Sequence, residues 1–327
     1  MQYHLPPGFD DALIAAALER SLHLTPSRVA HIQTKSIRGA YEASLPDSRD
    51  VILKLEAAAP ADEWRLGLEV WAMEQARGVD VPVPAVLAQD FSLSALPFRY
   101  VVMEKVRGTA IDEARLTDEQ QRTVLRAAGR LLARLHRVRV TGFGTLDEAR
   151  FLEAGEAMGR FARWAVPSTL RAEAALNELY GAGVIDFEEA AGAMHFVETA
   201  ASEVDAAPSR LLHGDFTARH VFIEPGGGAI TGVIDFGDRM GGAPVWDLAG
   251  AWLSHIRLPG LIEDATDHVV LGWEAESGTR IPKPAFTAAC LMRAVILARS
   301  YHDAGRVAEF EGVRWHLRGL LEEAGRL

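Results

Sequence analysis

The sequence predicts an α+β protein of two packed lobes, with strands concentrated early and helices dominating the rest. Three observations predict it. The chain has 327 residues, more than one small core organises. β-prone apolar runs at 29–34, 51–55 and 98–104 fall in its first third. Beyond residue 116, apolar side chains recur at helical spacing in one segment after another.

Residues 9–22 place Leu13, Ala16, Ala17 and Leu22 at helical spacing, with Asp10 or Asp11 as cap. Two β-prone runs, 29–34 and 51–55, flank the turn Ser36-Ile37-Arg38-Gly39-Ala40-Tyr41. Lys54 lies in the second run, where alternation points it away from the side of Leu53 and Leu55. A lone strand lysine is ordinarily a solvated charge. A helix over 61–77 follows, with Leu66, Val70 and Met73 on its apolar side and Glu63, Glu69 and Glu74 as its acids. Phe98 to Glu104 is a strand leading into Lys105-Val106-Arg107-Gly108. Leu116 to Arg137 is a strongly amphipathic helix with acids in its first turn. His136, near its end, is expected to be structural. Residues 146–208 read as mostly helical, and their aromatics (Phe161, Trp164, Tyr180, Phe187, Phe196) as core. Two closing helices are expected at 283–300 and 306–325. There are no internal repeats.

Everything else is organised around 211–238. A short apolar run-in is followed by a polar loop, a strand at Val221–Ile223, a glycine turn at Gly226–Gly228 and a strand ending at Val233-Ile234. This hairpin holds two loops at one end of a small sheet. One carries His213, Asp215 and His220; the other carries Asp235, Gly237 and Asp238. An apolar strand that ends in a carboxylate is costly unless something binds that carboxylate. Two such carboxylates side by side suggest a metal ion or a proton-transfer site.

His213-Gly214-Asp215, with a polar residue five places after the aspartate, then Ile234-Asp235-Phe236-Gly237, resembles the catalytic and metal loops of the protein-kinase-like fold. Glycine in the first motif, and the continuation Pro244-Val245-Trp246-Asp247-Leu248-Ala249, resemble the aminoglycoside phosphotransferase family in particular. The resemblance implies a small antiparallel-sheet lobe over 1–104 that binds nucleotide and a larger, mainly helical lobe over 105–327 that binds the acceptor. It makes Asp215 the group that orients the acceptor hydroxyl and takes its proton, and His213 the anchor of that loop. Asp235 would hold Mg²⁺. Lys54 would reach the nucleotide phosphates, steadied by Glu69, with Glu63 and Glu74 as competing partners one register away. The turn at Gly39 would cover the phosphates, or be an ordinary hairpin turn. Backbone groups near Glu104 and Val106 would bond a purine edge. Asp247 would brace the catalytic loop, or simply cap its helix.

One position departs from the family, which carries asparagine where this chain has His220. Imidazole is a poorer ligand than an amide oxygen for a hard ion such as Mg²⁺. His220 therefore either ligates metal or bonds Asp215 and keeps it oriented.

Composition narrows the partners. Hydrophobic residues make up 49% and charged residues 24%, as in ordinary globular chains. A net charge of −11 argues against nucleic acid and is compatible with a cationic substrate. Glu263, Asp264, Asp267, Glu274 and Glu276 could line a site for a polycation, or form a solvated face. Cys290 is the only cysteine, so neither an intrachain disulfide nor a cysteine-based zinc cluster is expected. No signal pattern or membrane-length apolar run is seen, so a cytoplasmic enzyme without membrane partners is expected. The activity implied is transfer of the terminal phosphate of ATP or GTP to a hydroxyl of a small molecule. An aminoglycoside- or hygromycin-like antibiotic is the expected acceptor, which would make the activity one of antibiotic resistance. The alternatives are a macrolide or another metabolite as acceptor. Two further readings follow from His220: a metal-dependent hydrolase using His213, Asp215, His220 and Asp235, and a non-catalytic nucleotide-binding pseudokinase.

Overall fold

The computed structural model describes residues 11–32, 39–57, 66–94, 96–204, 208–258 and 260–324. The expected α+β architecture is observed: an antiparallel sheet lobe followed by a mainly helical part. The first lobe contains α1 (Asp11–Leu22), β1 (Arg28–Ile32), β2 (Gly39–Ser44), β3 (Asp50–Ala57), α2 (Leu66–Arg77), β4 (Val86–Asp90) and β5 (Phe98–Glu104). The strands form one antiparallel sheet in the order β1-β2-β3-β5-β4. Alternation sets its two faces. Val51, Leu53 and Leu55 of β3 and Tyr100 and Val102 of β5 form a core with Ile14, Ala17 and Leu18 of α1. Each such fully buried aliphatic side chain contributes about 1.5–3 kcal/mol. Intervening residues, Lys54 among them, face the other way. Residues 36–38 of the turn 36–41 and residues 61–65 of the expected second helix, Glu63 among them, lie outside the described residues.

The second part contains β6 (Thr109–Ala110), α3 (Asp118–Leu135), β7 (Phe143–Leu146), α4 (Glu148–Ala154), β8 (Gly159–Phe161), α5 (Ala165–Gly181) and α6 (Phe187–Val204). It continues through β9 (Arg210–Leu212), β10 (Val221–Ile223), β11 (Ile230–Val233), β12 (Met240–Gly242), α7 (Val245–Arg257), α8 (Ala265–Ser277), α9 (Lys283–Asp303) and α10 (Val307–Ala324). The expected hairpin is β10–β11, antiparallel, with positive φ at Gly226 and Gly227. α3 starts at a capping box in which the Thr117 hydroxyl accepts the Gln120 N–H and the Gln120 side chain accepts the Thr117 N–H.

α3 and α8 cross in backbone contact. A Cβ on Gly129 would meet Val269 O at 2.0 Å, and one on Gly272 would meet Arg126 O at 2.1 Å. Around that crossing Glu276 pairs with Arg134 (3.1 Å) and Arg137 (2.7 Å), and Asp264 with Arg122 (3.5 Å) and His268 (3.1 Å). The acids suspected of lining a polycation site thus include two that hold this seam. The aromatics of 146–208 divide likewise. Trp164 is core, whereas Tyr180 and Phe187 are exposed and face each other edge-on across the α5–α6 turn.

Candidate active site

The site is built where β3, α2 and the β10–β11 hairpin converge. β3 directs Lys54 away from the α1 core, toward α2. Its Nζ lies 2.5 Å from Glu69 Oε1 and 3.1 Å from Asp235 Oδ1. Glu69 is 1% exposed on the inner face of α2, while Glu74, one turn on, is exposed to solvent. The structure thus places Glu69, and not Glu74, against the lysine. Burial alone would push the Lys54 pKa down, but the Glu69 and Asp235 carboxylates outweigh it and hold the ammonium charged. Burial likewise opposes ionisation of Asp235, and Lys54 and His220 reverse this, holding the carboxyl far below its usual range. Asp235 adopts a left-handed backbone, φ 66° and ψ 61°, the kind of strained conformation that neighbouring structure must over-determine.

Four residues fix the loop between β9 and β10. Asp247, fully buried in the first turn of α7, accepts the His213 N–H (2.7 Å) and the Gly214 N–H (2.9 Å). It therefore braces the loop rather than capping its own helix, whose N-cap makes no side-chain bond. His136 Nε2 donates to the same carboxylate at 3.2 Å, because its Nδ1 accepts the Trp273 indole N–H at 2.9 Å. His136 is thus structural, as expected. His213 is also fully buried. Its Nε2 donates to Ile234 O (2.9 Å), and its Nδ1 accepts the Asp215 N–H (3.3 Å). Burial lowers its pKa and outweighs the pull of Asp247. Gly214 has φ +87°, and a Cβ there would lie 1.8 Å from Asp238 O, so only glycine fits between the two loops.

His220 sits between the two carboxylates. Its Nδ1 donates to Asp215 O at 2.8 Å and lies 3.6 Å from Asp215 Oδ2; its Nε2 lies 3.8 Å from Asp235 Oδ2. A ring whose Nδ1–H is committed presents the Nε2 lone pair toward Asp235 when neutral. A divalent cation fits this donor set, with Asp235 as the carboxylate and His220 Nε2 beside it. Imidazole beside a carboxylate is tolerated better by a first-row transition ion such as Mn²⁺ than by Mg²⁺. Among the described residues there is no group of three His, Cys, Asp or Glu side chains arranged to hold a metal.

The other residues expected at a nucleotide lie around this centre. Gly39 opens β2 opposite Leu55, and its neighbour Ala40 is paired with Lys54. Glu104 ends β5 and gives its N–H to Ala85 O (2.9 Å), so its carbonyl is what remains for a purine edge. Glu104 and Val106 line a cavity of about 800 Å³ with Asp50, Pro84 and Thr231. Neither Lys54 nor Asp235 lines this cavity.

A second cavity, of about 560 Å³, opens beside the β9–β10 loop. It is bounded by Gly214, Gly237 and Asp238 on one side and by α5 and α9 on the other. Four arginines line it, Arg171, Arg239, Arg293 and Arg299, against two acids, Glu148 and Asp238. Arg293 donates to Gly214 O (2.8 Å) and Trp246 O (3.0 Å), and its guanidinium lies 4.3 Å from the centre of the Trp246 ring. Sequence reasoning passed over these arginines. For Arg293 a signal existed, a lone charge inside the apolar run Ala288–Leu297. Arg171 and Arg239 carry none, because only folding brings their segments together.

The family model described as the APH phosphotransferase enzyme family matches residues 36–277. No curated protein matches the sequence. Among solved structures, aminoglycoside phosphotransferase APH(4)-Ia is similar at TM-score 0.68 and 16% identity, covering 96% of this chain and 99% of that one. A thermostable mutant of the same protein, in ternary complex with ADP and hygromycin B, is similar at TM-score 0.67 and 16% identity, covering 94% and 97%. A type I macrolide 2′-phosphotransferase is similar at TM-score 0.58 and 16% identity, covering 96% and 98%. At these identities the likeness is one of fold. No described helix is long and apolar enough to cross a membrane.

Proposed function

The chain belongs to the phosphotransferase enzyme family, and on that premise we propose that it transfers the terminal phosphate of ATP or GTP to a hydroxyl of a small molecule. The observation that carries this is the Lys54–Glu69 ion pair reaching Asp235, with Asp215 on the far side of His220. Phosphoryl transfer asks the protein mainly for charge neutralisation and alignment. Lys54 supplies a permanent cation for phosphate oxygens, and Glu69 fixes its position. Asp215 accepts the proton of the acceptor hydroxyl, and the freed oxygen forms the new P–O bond. The bond from phosphorus to the bridging oxygen breaks, and its electron pair leaves with the nucleoside diphosphate. His213, Asp247 and Arg293 hold the loop that aims Asp215. Asp235 and His220 are the residues that would hold a divalent cation, which when bound neutralises phosphate charge.

The linker at Glu104 and Val106 is the proposed purine contact, and the lobes divide there, at 104/105. A cytoplasmic location fits the need for a nucleoside triphosphate. Solved relatives in complex with ADP and with hygromycin B support a nucleotide and a small hydroxylated acceptor. The hydrolase alternative loses a ligand, because both ring nitrogens of His213 are engaged inside the loop. The pseudokinase alternative has little to support it, since the Lys54, Glu69 and Asp235 array is intact. A panel of hydroxylated acceptors, scored for nucleoside diphosphate release by wild type and Asp215→Asn, tests the proposal. Release that needs an acceptor and Asp215 supports it; release that ignores both defeats it.

A further inference from the structure

We infer that the acceptor is a hydroxylated anion, its carboxylate or phosphate group held by Arg171 while its hydroxyl faces Asp215. This deepens the phosphotransferase reading and rests on it. The expectation of a cationic acceptor drew on the family resemblance and on a net charge of −11, but among the described residues only Glu148 and Asp238 of the acids behind that number line the cavity beside the β9–β10 loop. There, four guanidinium groups face two carboxylates. The pairing of these groups decides what is left for a ligand. Arg299 is matched outside the cavity by Glu178 and, at 3.7 Å, by Asp303. Arg239 faces the buried carboxylate of Glu148 at 3.7 Å. Glu148 is 3% exposed, so that charge is matched and out of a ligand's reach. Arg293 is buried and holds main-chain carbonyls, with no carboxylate in ion-pair contact among the described residues.

Arg171 remains. It is partly buried on α5, with burial weakening its charged state and Asp238 supporting it. Its one hydrogen bond is to Thr145 Oγ1, at a long 3.4 Å, and no carboxylate pairs with it among the described residues. A desolvated guanidinium without an anion is expensive, and a bidentate carboxylate or phosphate removes that expense. The ammonium groups of an aminoglycoside would meet the reverse. Of the two carboxylates that line this cavity among the described residues, Asp238 is the exposed one they would find, and Arg171 would repel them. The Trp246 ring, a potential stacking face for a sugar, already has Arg293 over it at 4.3 Å and Arg171 at 5.9 Å.

The test uses the full-length chain with ATP and Mg²⁺. Nucleoside diphosphate release is compared between hydroxylated anions (glycerate, gluconate, glycerol 3-phosphate) and hygromycin B. Thermal shifts with glycerol 3-phosphate and with nucleotide are measured in parallel at fixed ionic strength. Release stimulated by the anions, with Arg171→Ala raising acceptor KM at least about tenfold and Arg171→Lys recovering part of it, is the expected result. The KM for nucleotide should hold in both variants. Stimulation by hygromycin B alone, or an anion KM indifferent to Arg171, overturns the inference and leaves the phosphotransferase reading standing. If no acceptor in the panel turns over, the shift decides: stabilisation by glycerol 3-phosphate that disappears in Arg171→Ala supports the site, and its absence in wild type overturns it. Failure to bind nucleotide at all defeats the phosphotransferase reading separately.

Discussion

Lys54 and Asp235, 181 residues apart in the chain, meet at 3.1 Å between Nζ and Oδ1. One comes from the sheet lobe and the other from the loop after β11, so the contact couples strand placement in one part of the molecule to loop placement in the other. Glu69 completes it from α2. Removing the ammonium in Lys54→Ala would leave Glu69 and Asp235 facing each other and phosphate oxygens without a cation. We expect kcat/KM for nucleotide to fall about 10²-fold or more, and the melting temperature to fall as well, because the buried Glu69 carboxylate loses the lysine. Glu69→Gln should cost less, about tenfold, because the lysine stays but is less well fixed. Steady-state kinetics with nucleotide as the varied substrate reads both, and an inert Lys54→Ala substitution would remove the lysine from the site.

Asp215→Asn keeps the side-chain shape and removes the basic oxygen. Its backbone N–H, given to His213 Nδ1, and its carbonyl, held by His220, are untouched. Transfer should therefore drop by about 10²- to 10⁴-fold while nucleotide affinity stays near normal. A single-turnover assay paired with equilibrium nucleotide binding separates the two quantities. An active variant would show that the hydroxyl loses its proton elsewhere.

Asp235 and His220 divide the metal question between them. Asp235→Ala should weaken metal-dependent nucleotide binding, since Glu69, the other carboxylate beside Lys54, is held against the lysine; an unchanged Mg²⁺ dependence would contradict the role of Asp235. His220→Asn substitutes an amide oxygen for the imidazole nitrogen facing Asp235 and should retain or raise activity with Mg²⁺. Its activity ratio of Mn²⁺ to Mg²⁺ should fall relative to wild type, because imidazole favours the softer ion. Complete loss of activity in His220→Asn with both metals would mean that the Nδ1 bond to Asp215 O, and not the metal preference, is what the histidine provides.

Much of this centre was legible in the chain because local motifs fix it. His213, Gly214 and Asp215 form one tripeptide, Asp235 ends a strand, and Asp247 opens a helix, so their spacing carries their placement. The partner of Lys54 was not decided by sequence. Glu63, Glu69 and Glu74 differ by about one helical turn or two, and only the packing of α2 selects Glu69 over Glu74. The cavity arginines were less legible still. Arg171, Arg239 and Arg293 belong to three segments that converge only in the fold. Total charge is silent about the site for a related reason: acids such as Glu276 and Asp264 serve the α3–α8 seam, and a sum over the sequence cannot say where charge sits.

His213 offers a test that needs no acceptor. The ring is buried, accepts from the Asp215 N–H and donates to Ile234 O, so the fold holds it neutral and its pKa lies below the ordinary 6.5. An unfolded chain binds a proton at this ring below about pH 6.5, and the folded chain resists doing so. Its contribution to stability is therefore fully present above pH 6.5 and is lost as pH falls from there toward the depressed folded value. The slope approaches about 1.4 kcal/mol per pH unit for one withheld proton. Asp235 and Asp247, also depressed, lose their contributions only under more acidic conditions, so from pH 6.5 to about 5 the slope belongs to histidines, and comparison with a His213 variant isolates this one. Urea unfolding across that interval should show stability falling with pH in wild type. The slope should flatten in His213→Gln, which keeps an N–H for Ile234 O but cannot titrate. A wild-type curve that is level from pH 6.5 to 5, or an unchanged slope in the variant, would show that the ring is not held neutral by the loop.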